Sequence, residues 1–317
     1  MSGLTRCASL LLLALTFPGL AVSEESPQPL PDEQDAWLDD MQDNVSASID
    51  ATVRWFDSFF IDETQPLDEA AKAEARLRLG WEPRSRDLME FESRFRVRVR
   101  LPNMKHQTDL IFSDYDEDEQ GAGIKAARNE ALDNRNRFSM ALRFTAKKTE
   151  DLNISHRIGV GRKLQPYVKS EIRKTFGLSD ISNLHLEGSV YYYTQDRFGS
   201  RLRAQYSYQF DDENMLRFDN NFYYRDKEND WIWQHSIHRY RQLDARTGLI
   251  YGLFVEGSSR PDYRAEEYLL SARWRRNAVR EWLFFELEPF VLWRRDEDFK
   301  PSYGLAMRVE AYFGELN

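Results

Sequence analysis

Hydrophobic and polar residues alternate with a period of two along most of the chain after residue 73. In the segment 91–101, aromatic and aliphatic side chains alternate with charged ones, so an extended strand would be apolar on one face and charged on the other. Turn-forming stretches separate many such segments. Further alternating segments include 138–144, 201–208, 216–223, 283–294 and 303–313.

The length of these segments favours a membrane barrel over a soluble sandwich. They run for about 10 to 13 residues, whereas strands of soluble sheets average about 5 to 6 and a tilted bilayer-spanning strand needs about 9 to 11. A closed barrel with lipid outside and a polar lumen satisfies both faces and leaves no strand edge unpaired. The alternation therefore predicts an all-β fold, a closed antiparallel transmembrane β-barrel.

We count fourteen strands, and twelve is the alternative because the alternation is weakest over residues 166–176. An even number would return both ends of the barrel to the same side of the membrane. The predicted strands begin near residues 73, 90, 105, 135, 151, 165, 182, 199, 214, 230, 246, 264, 280 and 301.

The periodicity before residue 73 is that of a helix. Between the proline-rich start of segment 24–72 and Pro66, apolar side chains recur every three or four residues, which predicts a short amphipathic α-helix. The helix could pack on its own domain, contact a partner, enter the lumen as a plug, or lie on a membrane surface. The scarcity of lysine and arginine in the segment weakens the last option. Its apolar positions are Trp37, Met41, Val45, Ile49, Val53, Phe56 and Phe60.

The N-terminus has the features of a secretory signal. Arg6 precedes an apolar run over residues 10–20, and small residues follow, so we expect cleavage near Ser23. Cys7 is the only cysteine and lies before that run, so the mature chain has no thiol for a disulfide or a zinc site. The predicted organisation is a signal peptide over 1–23, an acidic periplasmic leader with its helix over 24–72, and the barrel over 73–317.

Composition alone would suggest a soluble acidic protein. The chain of 317 residues is 31% charged with a formal net charge of −9, and its mean hydropathy is −0.68. Segment 24–72 contains 14 acidic residues and only Arg54 and Lys72 as basic ones, whereas residues 73–317 hold 41 basic and 39 acidic side chains. The acidity therefore belongs to the leader, and the low hydropathy is that of a barrel in which only alternate residues meet lipid.

Residues 73–317 resemble the Gram-negative outer-membrane β-barrel class, which is porin-like in the broad sense. The alternating final segment ends in Phe313 and is similar to the C-terminal signal that barrel-assembly machinery reads in that class, although residues 314–317 follow it. The resemblance implies a bacterial outer-membrane location. It also implies outer-membrane lipid, lipopolysaccharide and the assembly machinery as partners. We expect no cofactor and no nucleic-acid partner.

The most unusual chemistry is a ladder of arginines on the predicted lumenal face of the first two strands. Like charges on adjacent strands repel, so the ladder requires acidic partners or an anionic solute. An internal salt-bridge network that closes a narrow barrel and an anion-preferring pore are the two interpretations. The ladder comprises Arg76, Arg78, Arg94, Arg96, Arg98 and Arg100, and the lumenal acids are Asp109, Glu187, Asp219, Glu286, Glu288 and Glu310.

Three functional hypotheses follow. The first is a non-enzymatic barrel, either a narrow channel or a structural envelope component with an arginine-rich lumen. The second is a lipid-modifying hydrolase that uses Ser236 and His238, although the alternation points this pair into the lumen and an enzyme is the less favoured alternative. The third is an accessory barrel that docks a periplasmic or envelope partner through residues 37–60.

The longest connection, 114–135, contains carboxylates at alternate positions that a calcium loop would use. Glu119 occupies the position where that motif needs glycine, and no glutamate stands at its twelfth position. We therefore expect a solvated outer loop and no dedicated metal site. The carboxylates considered were Asp114, Asp116 and Asp118.

Overall fold

Fourteen antiparallel strands close into a barrel in the computed structural model, which describes residues 73–101, 107–114, 123–128, 138–149, 151–161, 164–278, 280 and 282–314. Each strand pairs with its neighbours in sequence, and β1 pairs with β14, so no strand edge is left open. The strands are β1 (Ala73–Trp81), β2 (Phe91–Arg100), β3 (Gln107–Ser113), β4 (Ser139–Lys148), β5 (Leu152–Gly161), β6 (Gln165–Ser179), β7 (Ser182–Tyr193), β8 (Arg197–Asp211), β9 (Asn214–Arg225), β10 (Asp230–Asp244), β11 (Thr247–Ser258), β12 (Arg264–Asn277), β13 (Leu283–Arg294) and β14 (Ser302–Gly314).

The predicted fold class and strand count are confirmed, and the twelve-strand alternative is wrong. The doubtful stretch 166–176 lies inside β6, where Tyr167 and Glu171 are buried while Val168 and Ile172 are exposed, so the alternation continues there. The predicted signal peptide and leader helix lie outside the described residues. Within the described part of the chain, no helix is long and apolar enough to cross a membrane.

The two faces of the strands differ as the alternation predicts. In β2, Arg94, Arg96 and Arg98 are buried, whereas Phe91 and Phe95 are 56% and 37% exposed. Because a barrel encloses one face of every strand, the buried polar residues face the interior and the exposed apolar residues face outward. The charged side chains that could bind or select a solute therefore lie inside the barrel.

The two ends of the barrel also differ. At the end that carries Ala73 and Gly314, here called the terminal end, short turns such as 180–181, 212–213 and 245–246 join the strands. The opposite end, here called the loop end, has longer connections. Outward aromatic pairs lie there, among them Tyr224 with Trp231 at 5.1 Å between ring centroids. Such rings are typical of the interface between hydrocarbon and water.

Candidate functional site

The barrel closes along β1 and β14, and the inward side chains at this closure form ion pairs. Arg76 Nε contacts the Glu310 carboxylate, and Arg78 Nη2 lies 3.0 Å from Glu286 Oε2. Arg275 Nη1 bridges the two acids and lies 2.6 Å from an oxygen of each. Four neighbouring strands, β12, β13, β14 and β1, are thereby joined through charge-assisted hydrogen bonds.

Arg308 of β14 is the centre of this group and is only 2% exposed. Its Nε lies 2.7 Å from Glu82 Oε1, just after β1. Its Nη1 contacts the Glu288 carboxylate and lies 3.5 Å from Glu286 Oε2. A guanidinium buried this deeply is stable only with such partners, because an uncompensated buried charge is costly. We call Arg76, Arg78, Arg275, Arg308, Glu82, Glu286, Glu288 and Glu310 the closure network.

Residues 123–128, here called the inward segment, fold into the barrel between β3 and β4. Their single 3₁₀ turn places the Lys125 amide 2.6 Å from Glu82 Oε2, to which it donates. Arg128 Nη2 donates to Glu92 Oε1 at 2.6 Å. The inward segment is therefore bound to the closure network and to β2 by carboxylates that the barrel wall supplies.

Apolar contacts hold the other side of the inward segment. Ile124 and Ala127 have no exposed surface. The expectation of a solvated loop is thus wrong for residues 123–128, because these two apolar side chains pack against buried apolar residues of β11–β14. These strand residues are Phe254, Leu269, Phe290, Leu292 and Ala306.

A small cavity of about 60 Å³ lies beside the inward segment and is lined in part by Gly123, His238 and Ser271. Arg273 reaches over it, with its Nε 3.0 Å from Glu288 Oε2. A Cβ at position 123 would stand 2.1 Å from Arg273 Nη2. Glycine at this position therefore allows the guanidinium to lie directly against the backbone.

Asp109 of β3 contacts Arg98 and lies near Arg100, the last two arginines of the ladder. Its Oδ2 accepts from Arg98 Nη2 at 3.1 Å and from Arg143 Nη2 at 2.6 Å. Arg100 Nε lies 4.0 Å from the other oxygen. One carboxylate thus compensates three arginines from the two flanking strands, β2 and β4, which shows how strongly positive this part of the wall is.

The remaining acids that the sequence singled out lie farther round the barrel. Glu187 contacts Arg201 and has its Oε2 3.2 Å from Arg173 Nε. Asp219 Oδ1 lies 3.0 Å from Arg203 Nη2. Both acids are buried. All six acids considered from the sequence therefore lie inside the barrel in contact with arginine.

The ladder arginines also lie on inward positions, and the strand register sets Arg76 opposite Arg96 and Arg78 opposite Arg94. Arg94 Nε lies 2.5 Å from Glu92 Oε1. Their functional role stays a prediction. Sequence reasoning missed the partners that complete the site, because strand alternation gives the face of a residue but not its distant neighbour. The missed residues are Glu82, Glu92, Arg128, Arg273, Arg275 and Arg308.

Positive and negative charges are distributed unevenly round the interior. On β10–β14 and β1–β3, inward basic and acidic side chains are nearly equal in number. On β4–β9 the inward acids are Glu171, Glu187 and Asp219 alone among the described residues. The inward cations on those strands, here called the basic wall, are more numerous: Arg143, Lys169, Arg201, Arg203 and Arg217 are buried, and Arg157, Arg173 and Arg225 are partly buried.

The Ser236 and His238 pair lies in the interior, as the alternation predicts. Ser236 Oγ is 3.4 Å from His238 Nδ1, and Asp219 Oδ2 is 3.7 Å from the same nitrogen. In a catalytic triad, the serine and the acid bond to opposite nitrogens of the histidine ring. The acid orients the ring, and the serine donates its proton to the other nitrogen. This arrangement, inside the barrel and away from lipid, gives no support for the hydrolase alternative.

The described residues include one of the three carboxylates weighed as calcium ligands. Asp114 Oδ1 accepts from the Phe95 amide at 2.8 Å, which is a structural hydrogen bond. Asp116 and Asp118 lie outside the described residues. Within the described ranges, no group of three or more histidine, cysteine or acidic side chains is arranged to hold a metal ion.

No protein-family model matches the chain, and no curated protein matches it either. Solved structures do. The outer-membrane channel DcaP of Acinetobacter baumannii is 6% identical with a TM-score of 0.50, over 77% of this chain and 97% of that one. OmpT of Vibrio cholerae is 9% identical with a TM-score of 0.48, over 77% and 97%. At 6% identity, the likeness to DcaP shows the barrel fold alone.

Proposed function

We propose that this outer-membrane-type barrel, porin-like in the broad sense, is a narrow channel that prefers anions. The observation that carries the proposal is the basic wall on β4–β9, where inward cations outnumber inward acids. Charged side chains that line a pore set its ion preference. A low-dielectric wall of one sign also focuses potential and raises the local concentration of oppositely charged solutes.

The opposite side of the interior supports a structural role within the same proposal. The closure network balances its own charges, and the inward segment fills the space next to it. A solute of modest size would therefore pass along the basic wall, where net positive charge remains. The inward segment makes the channel narrow, and the basic wall gives it a preference for anions.

The acidic leader adds a second component to the proposal. Segment 24–72 carries 14 acidic and 2 basic residues, a composition complementary to the basic wall. We keep the leader as a candidate occupant of the interior, and equally the envelope-partner role of residues 37–60. Either role would modulate the channel without changing the wall itself.

Solute uptake tests the proposal directly. Purified protein in liposomes should admit gluconate faster than glucose, two solutes of similar size and different charge. The double variant Arg157→Gln/Arg217→Gln should reduce that preference. Lys227→Gln/Arg260→Gln, which removes two cations from loop-end turns, is the matched control and should leave it unchanged. Equal uptake of both solutes by the unmodified protein would refute the anion preference.

A further inference from the structure

Three arginines face outward near the terminal end of the barrel. Arg239 and Arg241 stand on β10 and Arg276 on β12, and all three are exposed. Arg239 Nη2 donates to Asn214 Oδ1 at 3.3 Å. Within the ranges that the structure describes, the side chains of Arg241 and Arg276 form no ion pair and no hydrogen bond. Two of the three charges are thus presented to the surroundings.

Arg264, at the loop-end start of β12, is paired with acids instead. Arg264 Nε lies 2.7 Å from Glu266 Oε1, and its Nη1 lies 3.4 Å from Asp262 Oδ1. The inward arginines of the closure network are paired as well. Among the strand residues that the structure describes, outward arginines without an ion pair or hydrogen bond therefore occur at the terminal end of β10 and β12.

The register of β10–β12 places these arginines around three apolar or aromatic side chains, Leu249, Tyr251 and Trp274, here called the apolar floor. Arg241 stands opposite Leu249, which stands opposite Trp274. Adjacent strands lie about 4.8 Å apart, so Arg241 and Trp274 are separated by about 10 Å, with Arg276 two residues farther along β12. Arg239 faces Tyr251 in the same way. The rim patch comprises Arg239, Arg241, Leu249, Tyr251, Trp274 and Arg276.

We propose that the rim patch binds the phosphate group of an anionic glycerophospholipid. Guanidinium groups match phosphate oxygens through paired hydrogen bonds. Tyrosine and tryptophan favour the level of the lipid headgroups, so Tyr251 and Trp274 set the arginines at the depth of the phosphates. Leu249 and the two rings accept the acyl chains below. Asp211, at the end of β8, and Asp244, at the end of β10, stand level in the register with Arg241 and Arg276. Their carboxylates accept hydrogen bonds from backbone amides of the turns that follow them.

The apolar floor is what selects a lipid over a free anion. A soluble phosphate would gain the guanidinium contacts but could not cover Leu249, Tyr251 and Trp274. A lipid gains both, since the burial of apolar surface away from water also stabilises its complex. The site therefore requires a headgroup and acyl chains on one molecule.

Native mass spectrometry of the full-length protein tests the proposal. The protein is equilibrated with equal amounts of phosphatidylglycerol and phosphatidylcholine that have identical chains, and the retained lipid is counted. We expect the unmodified protein to retain phosphatidylglycerol preferentially. Arg241→Gln/Arg276→Gln should lower that preference on the order of tenfold. Arg241→Lys/Arg276→Lys should keep most of it, because the charges remain.

The control is Lys227→Gln/Arg264→Gln, which neutralises two cations at the loop end and should leave lipid retention unchanged. Heat-modifiable migration on gels verifies that each variant is folded. An unmodified protein without preference would overturn the proposal, and so would equal loss in the control. Displacement of the lipid by glycerol 3-phosphate would also overturn it, because the site would then bind phosphate without needing the chains.

Discussion

Glu82, which directly follows the first strand, accepts a hydrogen bond from Arg308 Nε in the last strand at 2.7 Å. Its second carboxylate oxygen accepts from the Lys125 amide at 2.6 Å. Both charged side chains are fully buried. One carboxylate thus links the barrel closure to the inward segment, so the segment that narrows the interior is held by the same group that joins the two ends of the sheet.

The variant Glu82→Gln tests this link. The amide keeps the shape but loses the charge, so the bonds to Arg308 and to the Lys125 amide weaken. We expect the inward segment to leave the wall more often and the single-channel conductance to rise. Glu297→Gln is the control, since Glu297 pairs with Arg84 at 2.7 Å in the loop-end connections. Equal conductance for all three proteins would show that the segment does not narrow a path.

Removal of the Arg308 charge should destabilise the barrel. Arg308→Met removes the guanidinium that pairs with the buried carboxylates of Glu82 and Glu288, and breaking a buried ion pair costs about 3 to 5 kcal/mol. Arg264→Met removes a pair at the loop end that solvent screens, and should destabilise the barrel much less. Urea unfolding of vesicle-embedded protein measures both free energies. Similar losses would mean that the closure network does not stabilise the barrel through its burial.

Deletion of residues 24–60 tests the leader as an internal occupant. The leader carries most of the chain's negative charge, so its removal should raise anion conductance if it lies against the basic wall. Asp50→Asn/Asp57→Asn in the full chain should produce a smaller change in the same direction. Unchanged conductance after the deletion would count against a plug and leave the partner role of residues 37–60.

Ser236→Ala should have no enzymatic consequence. The serine and Asp219 approach the same nitrogen of His238, so no proton relay is formed. Lipid extracts from cells with the serine or the alanine protein should have the same composition by mass spectrometry. Loss of a lysophospholipid or deacylated product in the variant alone would restore the hydrolase alternative.

The strands could be predicted because the physics that forms them is local. A lipid-facing side chain and an interior side chain must alternate along each strand, and that rule places Arg96 and Val97 on opposite faces from sequence alone. The same rule holds in β6, where Pro166 faces outward near the start of the strand and does not interrupt the alternation of inward residues.

The contacts inside the barrel could not be predicted in the same way. Arg76 and Glu310 are 234 residues apart, and only the closed register of β1 with β14 brings them together. The inward segment was missed because its acidic surroundings indicate a solvated loop. Its burial depends on Ile124 meeting Phe254 and Leu269 on the opposite wall, which no local pattern encodes.

The zero-current potential of the purified protein in a planar bilayer, measured across a potassium chloride gradient, tests the central claim most directly. The basic wall predicts that chloride crosses faster than potassium, so the zero-current potential should have the sign that chloride flow produces. The potential should be smaller for Arg157→Gln/Arg217→Gln than for Lys227→Gln/Arg260→Gln. A potential set by potassium flow, or one that the wall variant leaves unchanged, would contradict an anion-preferring channel.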